Sequence, residues 1–230
     1  MRLPEEYKLN LCINGSKKIS FICSDVFLEE MIIGWLYNEG LISSMEDVEH
    51  LNREGSEAEV RLNTKAPIPQ HWSLTRSSGM GGQTLELDAR QEACSVGARY
   101  AYEDVRIFAK QMDQLCLKYA ETGGMHCSAV FDNTGLRSHF EDIGRHNTLD
   151  KVAGHSLMKQ EPLDGCLLIT TGRISADMVK KAGRMGIAVI ASYTTATENA
   201  RQLAQNLGIT LIGYLSRKGR NIYCCEDRIL

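Results

Sequence analysis

The chain has 230 residues, 26 Lys+Arg against 29 Asp+Glu for a formal net charge of −3, and 43% apolar residues. That length buries a sizeable core, and the charge balance leaves no basic excess to neutralise a phosphate backbone, which argues against generic nucleic-acid binding. No window of 18 apolar residues is free of charge or glycine, and the opening Met1-Arg-Leu-Pro-Glu-Glu-Tyr7 lacks the apolar run of a secretory signal, so a cytoplasmic protein that does not enter a membrane is expected.

The first third reads as a small α+β unit. Apolar-rich stretches from Tyr7 to Ile13 and from Lys18 to Cys23 flank Asn14-Gly15, a pair suited to the left-handed turn of a β-hairpin. Asp25 then offers an N-cap, Phe27, Leu28, Met31, Ile32, Trp35 and Leu36 share one face at helical spacing, and Gly40 supplies the stop. The spacing predicts an amphipathic helix packed on the hairpin. Short strands are expected near Val48 and Val60. Pro67, Pro69, Gly79, Gly81 and Gly82 predict a linker and mobile loop between Asn63 and Gln83.

From Asp88 to Glu121 the pattern is helical, with a break at about Gly97 and an end at Gly123-Gly124. Strands are expected over His126 to Asp132, Cys166 to Thr171, Ile187 to Ser192 and Thr210 to Leu215, with helices at about 147–160, 175–185 and 197–207 between them. This alternation predicts a largely parallel sheet covered by helices, an α/β fold of three layers, α/β/α. The organisation expected is a small α+β unit over 1–75, a glycine-rich loop over 76–87 and the α/β/α domain over 88–230.

Parallel sheets place ligands outside the carboxyl ends of their strands, which directs attention to four segments. Thr122-Gly-Gly-Met-His126 lets the backbone approach a ligand beside an imidazole, or is a hydrogen-bonded turn. Glu141-Asp-Ile-Gly-Arg-His-Asn147 gathers two acids, Arg145, His146 and an amide around one glycine. There Arg145 can fork onto a phosphate, Asn147 can cap the next helix, and Lys151 would face the same helix end, making an anion site; the alternative is a solvated turn with ion pairs. Thr170-Thr-Gly-Arg173 offers Gly172 for close approach and Thr171, Arg173 and Ser175 as donors, or is an ordinary turn with Ser175 as N-cap. Gly213 to Tyr223 concentrates Arg217, Lys218 and Arg220 around Gly219, with Tyr214 and Tyr223 available to stack on a flat ring, or is a charged tip that keeps a sheet edge soluble. Together these segments predict a polyanionic ligand carrying a flat ring.

The eight cysteines (Cys12, Cys23, Cys94, Cys116, Cys127, Cys166, Cys224, Cys225) contain no Cys-x-x-Cys pair, so reduced thiols, most of them buried, are expected, with no metal bound by the protein. Motifs for P-loop hydrolysis, dinucleotide redox, zinc deamination and the serine-hydrolase elbow are absent.

Thr-Gly-Gly-Met-His, Glu-Asp-Ile-Gly-Arg-His-Asn-x2-Asp-Lys, Thr-Gly-Arg-Ile-Ser and Gly-Tyr-Leu-x7-Asn-Ile-Tyr occur in that order. With them the sequence resembles the formate dehydrogenase accessory protein family, FdhD, over nearly its whole length. The resemblance implies a cytidine-deaminase-like main domain without the zinc chemistry, and a homodimer. It also implies an activity: sulfur is accepted from a cysteine desulfurase as a persulfide and passed to the molybdenum cofactor before insertion into apo formate dehydrogenase. The cargo would be molybdenum bis(molybdopterin guanine dinucleotide), a guanine-nucleotide ligand of the class the basic segments indicate. By residue-level match Tyr214, Leu215, Ser216, Arg217, Lys218 and Gly219 form the cofactor-binding stretch, with His126, Arg145, His146, Asn147, Gly172 and Arg173 as further lining. Where the family places Cys-Gly-x-Cys, this chain reads Ser78-Gly-Met-Gly81, and a serine cannot carry a persulfide. Cys127, beside His126, is the candidate replacement nucleophile, with Cys224-Cys225 as another. Two readings remain, a sulfurtransferase-like maturation factor and a non-catalytic cofactor-binding chaperone; a third is a nucleotide-directed enzyme with His126 and Asp142 as acid and base.

Overall fold

The computed structural model describes residues 3–63 and 97–230. Strands β1 (Tyr7–Ile13) and β2 (Lys17–Cys23) form the expected hairpin, with Asn14 and Gly15 both at positive φ, 51° and 68°. Helix α1 (Leu28–Asn38) follows, then β3 (Val48–Glu54) and β4 (Glu57–Leu62). β1 pairs with β4 in parallel, giving a four-stranded sheet of order β2-β1-β4-β3. Leu9, Leu11, Ile13, Ile19 and Phe21 point from it onto Met31, Ile32, Trp35 and Leu36 of α1.

The start of α1 departs from expectation. Its N-cap is Phe27 rather than Asp25, at φ 55° with no side-chain cap, and the Phe27 ring is half exposed rather than on the buried face. Tertiary contacts override the local cap here. Ser24 is bonded to Asp142, and the Phe27 ring meets Phe140 edge-on with centroids 5.1 Å apart, so the turn between β2 and α1 is set from outside.

Helix α2 (Tyr102–Leu115) and the short α3 (Leu117–Thr122) replace the described part of the long helix expected there, with the break at Cys116. The main sheet contains β5 (His126–Asp132), β6 (Gly135–Asp142), β7 (Leu167–Thr170), β8 (Val189–Ser192), β9 (Thr210–Ile212) and β10 (Ile222–Cys224). Between these strands lie α4 (Arg145–Lys159), α5 (Ala176–Arg184) and α6 (Glu198–Leu207). The strand order is β10-β9-β8-β7-β5-β6.

The sheet is mixed, not largely parallel. Only β7-β8 and β8-β9 run parallel, while β5 pairs antiparallel with both β6 and β7, and β9 with β10. β6 was absent from the sequence expectation. A tight turn, in which Asp132 Oδ1 accepts from the Thr134 and Gly135 amides, joins β5 to β6, and so short a connection closes only an antiparallel pair.

The three layers are present. α4, α5 and α6 cover one face of the sheet, where Val130, Leu168, Ile190 and Leu211 meet Leu149, Val152, Met178 and Ala204. α2 covers the other, where Phe131, Ile169 and Ala191 meet Val105 and Met112. The boundary expected at 75 and the loop over 76–87, including Ser78 and Gly81, lie outside the described residues. Antiparallel contact of α1 with α4 joins the two sheets, through a crossing so close that a Cβ on Gly34 would overlap the Asp150 carbonyl oxygen and one on Gly154 the Glu30 carbonyl oxygen.

Candidate functional site

The carboxyl ends of β7, β8 and β9 and the first residue of β5 lie at one edge of the main sheet, because β5 runs against β7. Three loops are tied side by side along that edge. Thr171 Oγ1 accepts from the Cys127 amide at 3.0 Å and lies 3.3 Å from His126 Nδ1. The Ile174 amide donates to the Thr195 carbonyl at 3.0 Å, and the Tyr214 amide donates to the Thr194 carbonyl at 2.8 Å. Ser192 Oγ donates to the Gly172 carbonyl at 2.8 Å and accepts from the Thr194 amide, so one hydroxyl sets two of these loops. Ser192, Thr194 and Thr195 were not singled out from sequence, although they follow an apolar strand as the other segments do.

At one end of this row the predicted residues converge. Arg145, first residue of α4, lies across Gly172: a Cβ there would stand 2.9 Å from Arg145 Cβ and 3.4 Å from His126 Nδ1. Arg145 Nε is buried without a partner, and burial together with the adjacent Arg173 holds its pKa below the ordinary guanidinium value. Burial and then Arg145 likewise lower the pKa of His126. Two guanidiniums and an imidazole, with the free amides of a 15-residue helix beside them, make a concentration of positive charge that an anion would relieve.

Three residues of the same motif point inward instead. Asn147 does not cap α4, whose N-cap is Gly144; its buried amide donates to Asp142 Oδ1 at 2.7 Å and to the Ile22 carbonyl at 2.9 Å. Lys151 does not face the ligand end, being fully buried with Nζ 2.6 Å from Asp142 Oδ2. The Asp142 carboxylate is enclosed by donors, so it has no free oxygen for acid–base work on a nucleotide.

His146 is nearly buried, with Nε2 3.2 Å from Ser175 Oγ and 3.6 Å from Asp177. Burial, then the nearby Lys181, pushes its pKa down to about 4. Lys181 is itself clamped on both oxygens of Asp150 at 2.8 Å. The unfolded chain takes up the His146 proton near pH 6.5 whereas the folded chain refuses it until about pH 4, so stability is complete above that window and is lost as pH falls through it. Thermal denaturation between pH 7 and 4.5 should show this loss, on the order of 2–3 kcal/mol, and His146→Gln should flatten it. An unchanged slope in the variant would remove His146 as the cause.

The other end of the row is the basic loop. Arg217 lies over the Tyr214 ring at 3.8 Å and Arg220 over Tyr102 at 5.3 Å, while Tyr102 donates to the Gly219 carbonyl at 2.9 Å. Ser216, Arg217 and Lys218 are exposed, whereas Leu215 packs in the core beneath. Gly213 lies against the Tyr223 ring, whose hydroxyl is 3.1 Å from Thr195 Oγ1.

Cys127 lies in the core on the α2 face, not among the lining groups. Its thiol pKa is raised, by the neighbouring Cys116 thiol first and by burial second. Burial raises Cys23 to about 12 and Cys224 to about 11. Among the described cysteines only Cys12 and Cys225 are partly exposed.

Comparison with known proteins gives a consistent result. The profile of the FdhD/NarQ family matches residues 4–230. The chain is 29% identical to the sulfur carrier protein FdhD of Shouchella clausii, over 99% of this chain and 89% of that one. It is 31% identical to the sulfur carrier protein FdhD of Staphylococcus aureus, over 98% and 88%. A crystal structure described as that of a formate dehydrogenase accessory protein from Desulfotalea psychrophila superposes with a TM-score of 0.80 at 25% identity, covering 99% of this chain and 91% of that one.

Proposed function

The chain belongs to the FdhD/NarQ family, and from that premise we propose that it is a formate dehydrogenase accessory protein that holds the guanine-dinucleotide form of the molybdenum cofactor as cargo. The observation that carries this reading is the pairing of Arg145 and Arg173 over Gly172 at one end of a row whose other end offers Tyr214 and Arg217. Three strand spacings separate β5 from β9, roughly 14 Å, a span that suits phosphates at one end and a flat ring at the other. The guanidiniums hold phosphate oxygens through charge-assisted bonds, and the Tyr214 ring with Arg217 above it offers a surface for a base. The partners are a cysteine desulfurase and an apo formate dehydrogenase, and the working unit is a homodimer.

For the sulfur step, the second reading is favoured by specific observations: Ser78 and Gly81 stand at the cysteine positions of the family's loop, and the Cys23, Cys127 and Cys224 thiols are held protonated. Sulfur transfer starts from a thiolate attacking a persulfide, which a protonated, buried thiol does not do. The chain then acts as a chaperone that keeps the cargo pocket without moving sulfur.

The test is intact-mass measurement after incubation with a cysteine desulfurase and free cysteine, alongside calorimetric titration with guanosine diphosphate. Binding without added sulfur supports the chaperone; a cyanide-removable sulfur on any cysteine restores the sulfurtransferase. Arg145→Ala should weaken guanosine diphosphate binding by about 1.5–3 kcal/mol, and an unchanged affinity would sink the phosphate assignment.

A further inference from the structure

The residue that presents Arg145 to a ligand does not hold its own position. Gly144, the N-cap of α4, donates its amide to Asp142 Oδ1 at 2.9 Å, and Asn147 donates to the same oxygen. The other oxygen, Oδ2, accepts from the Ser24 amide at 3.0 Å, from Ser24 Oγ at 2.9 Å and from Lys151 Nζ at 2.6 Å. Ser24 Oγ also accepts from Lys151 Nζ at 2.8 Å. Ser24 follows directly on β2, and the Ile22 carbonyl of that strand accepts from Asn147. One carboxylate is thus held by the end of the N-terminal sheet on one oxygen and holds the start of α4 with the other.

We propose that Ser24 is a positioning residue for the anion site, acting through Asp142 on the Gly144–Arg145 turn, so that the N-terminal sheet regulates ligand affinity without touching the ligand. The inference rests on the reading of Arg145 as the phosphate-binding residue. A carboxylate that receives five donors is rigid because each bond fixes a direction the others share, and removing the hydroxyl releases one of them and frees Lys151 to move. Binding free energies are reciprocal, so a ligand that tightens the Arg145 turn also tightens the end of β2.

The experiment compares the full chain with Ser24→Ala and with Val60→Ala, a control that opens the core of the same sheet away from Asp142. The first readout needs no ligand: amide hydrogen exchange at Gly144 relative to that at Ile190 in the same sample. Ser24→Ala should raise this ratio about tenfold and raise the dissociation constant for guanosine diphosphate about five- to tenfold, with Val60→Ala leaving both within about twofold. An unchanged Gly144 ratio in Ser24→Ala, or equal weakening of binding by Val60→Ala, overturns the proposal. Failure of the unaltered chain to bind guanosine diphosphate overturns the phosphate reading instead, and the Gly144 ratio still reports whether Ser24 orders the turn.

Discussion

Gly34→Ala and Gly154→Ala should each destabilise the protein by about 3 kcal/mol or more, the reverse of what the same change does in an exposed helix. Alanine is favoured over glycine in a helix interior by about 1 kcal/mol, so an unpacked glycine would gain from it. Here the added methyl meets backbone, the Asp150 carbonyl from Gly34 and the Glu30 carbonyl from Gly154, and a carbonyl inside a helix cannot turn aside. The helices must separate, which opens the contacts of Ile33 and Leu36 on one side and of Val152 and Ala153 on the other. Urea denaturation of the two variants measures the loss. The double variant should cost less than the sum, because the second methyl enters a gap the first has made. A gain in stability for either alanine would show that the crossing is looser than described.

Lys151→Met should cost about 3–5 kcal/mol, since it leaves the fully buried Asp142 carboxylate without its cation. The exposed Lys110 supplies the comparison, because its replacement by Met should change stability by less than about 0.5 kcal/mol. Four of the five bonds to Asp142 survive in the variant, so the loss measures the unpaired charge more than the missing bond. Equal small effects at the two lysines would mean that water reaches Asp142.

Local patterns carried much of this fold into view before any coordinates. The Asn14-Gly15 hairpin, the α1 face from Leu28 to Leu36, the Ser175 cap and the alternation after Cys166 depend on neighbours in sequence, and all are present. The convergence of His126, Arg145, Gly172 and Arg173 followed from one rule about strand ends. β6 was hidden because Arg137, Ser138 and His139 interrupt its apolar pattern, and because Glu141 and Asp142 read as part of a ligand motif rather than as the end of a strand. Asp142, Asn147 and Lys151 were misplaced for a related reason. Charged and amide side chains are surface residues unless a partner is available, and their partner Ser24 stands 118 residues from Asp142. Gly34 and Gly154 carry no periodic signal at all, since what they need is space on a helix not yet known to be adjacent.

That separation also has a consequence during synthesis. The face of α1 bearing Ile33 and Gly34 can be covered only when α4 has left the ribosome, and at roughly 5–20 residues per second a separation of 118 residues corresponds to roughly 6–24 s. For that interval the first sheet exists with one side of its helix bare, and the two parts of the chain complete each other only when translation is nearly over. The nascent chain therefore has an early half that depends on its late half, and a premature stop before α4 yields no smaller working protein.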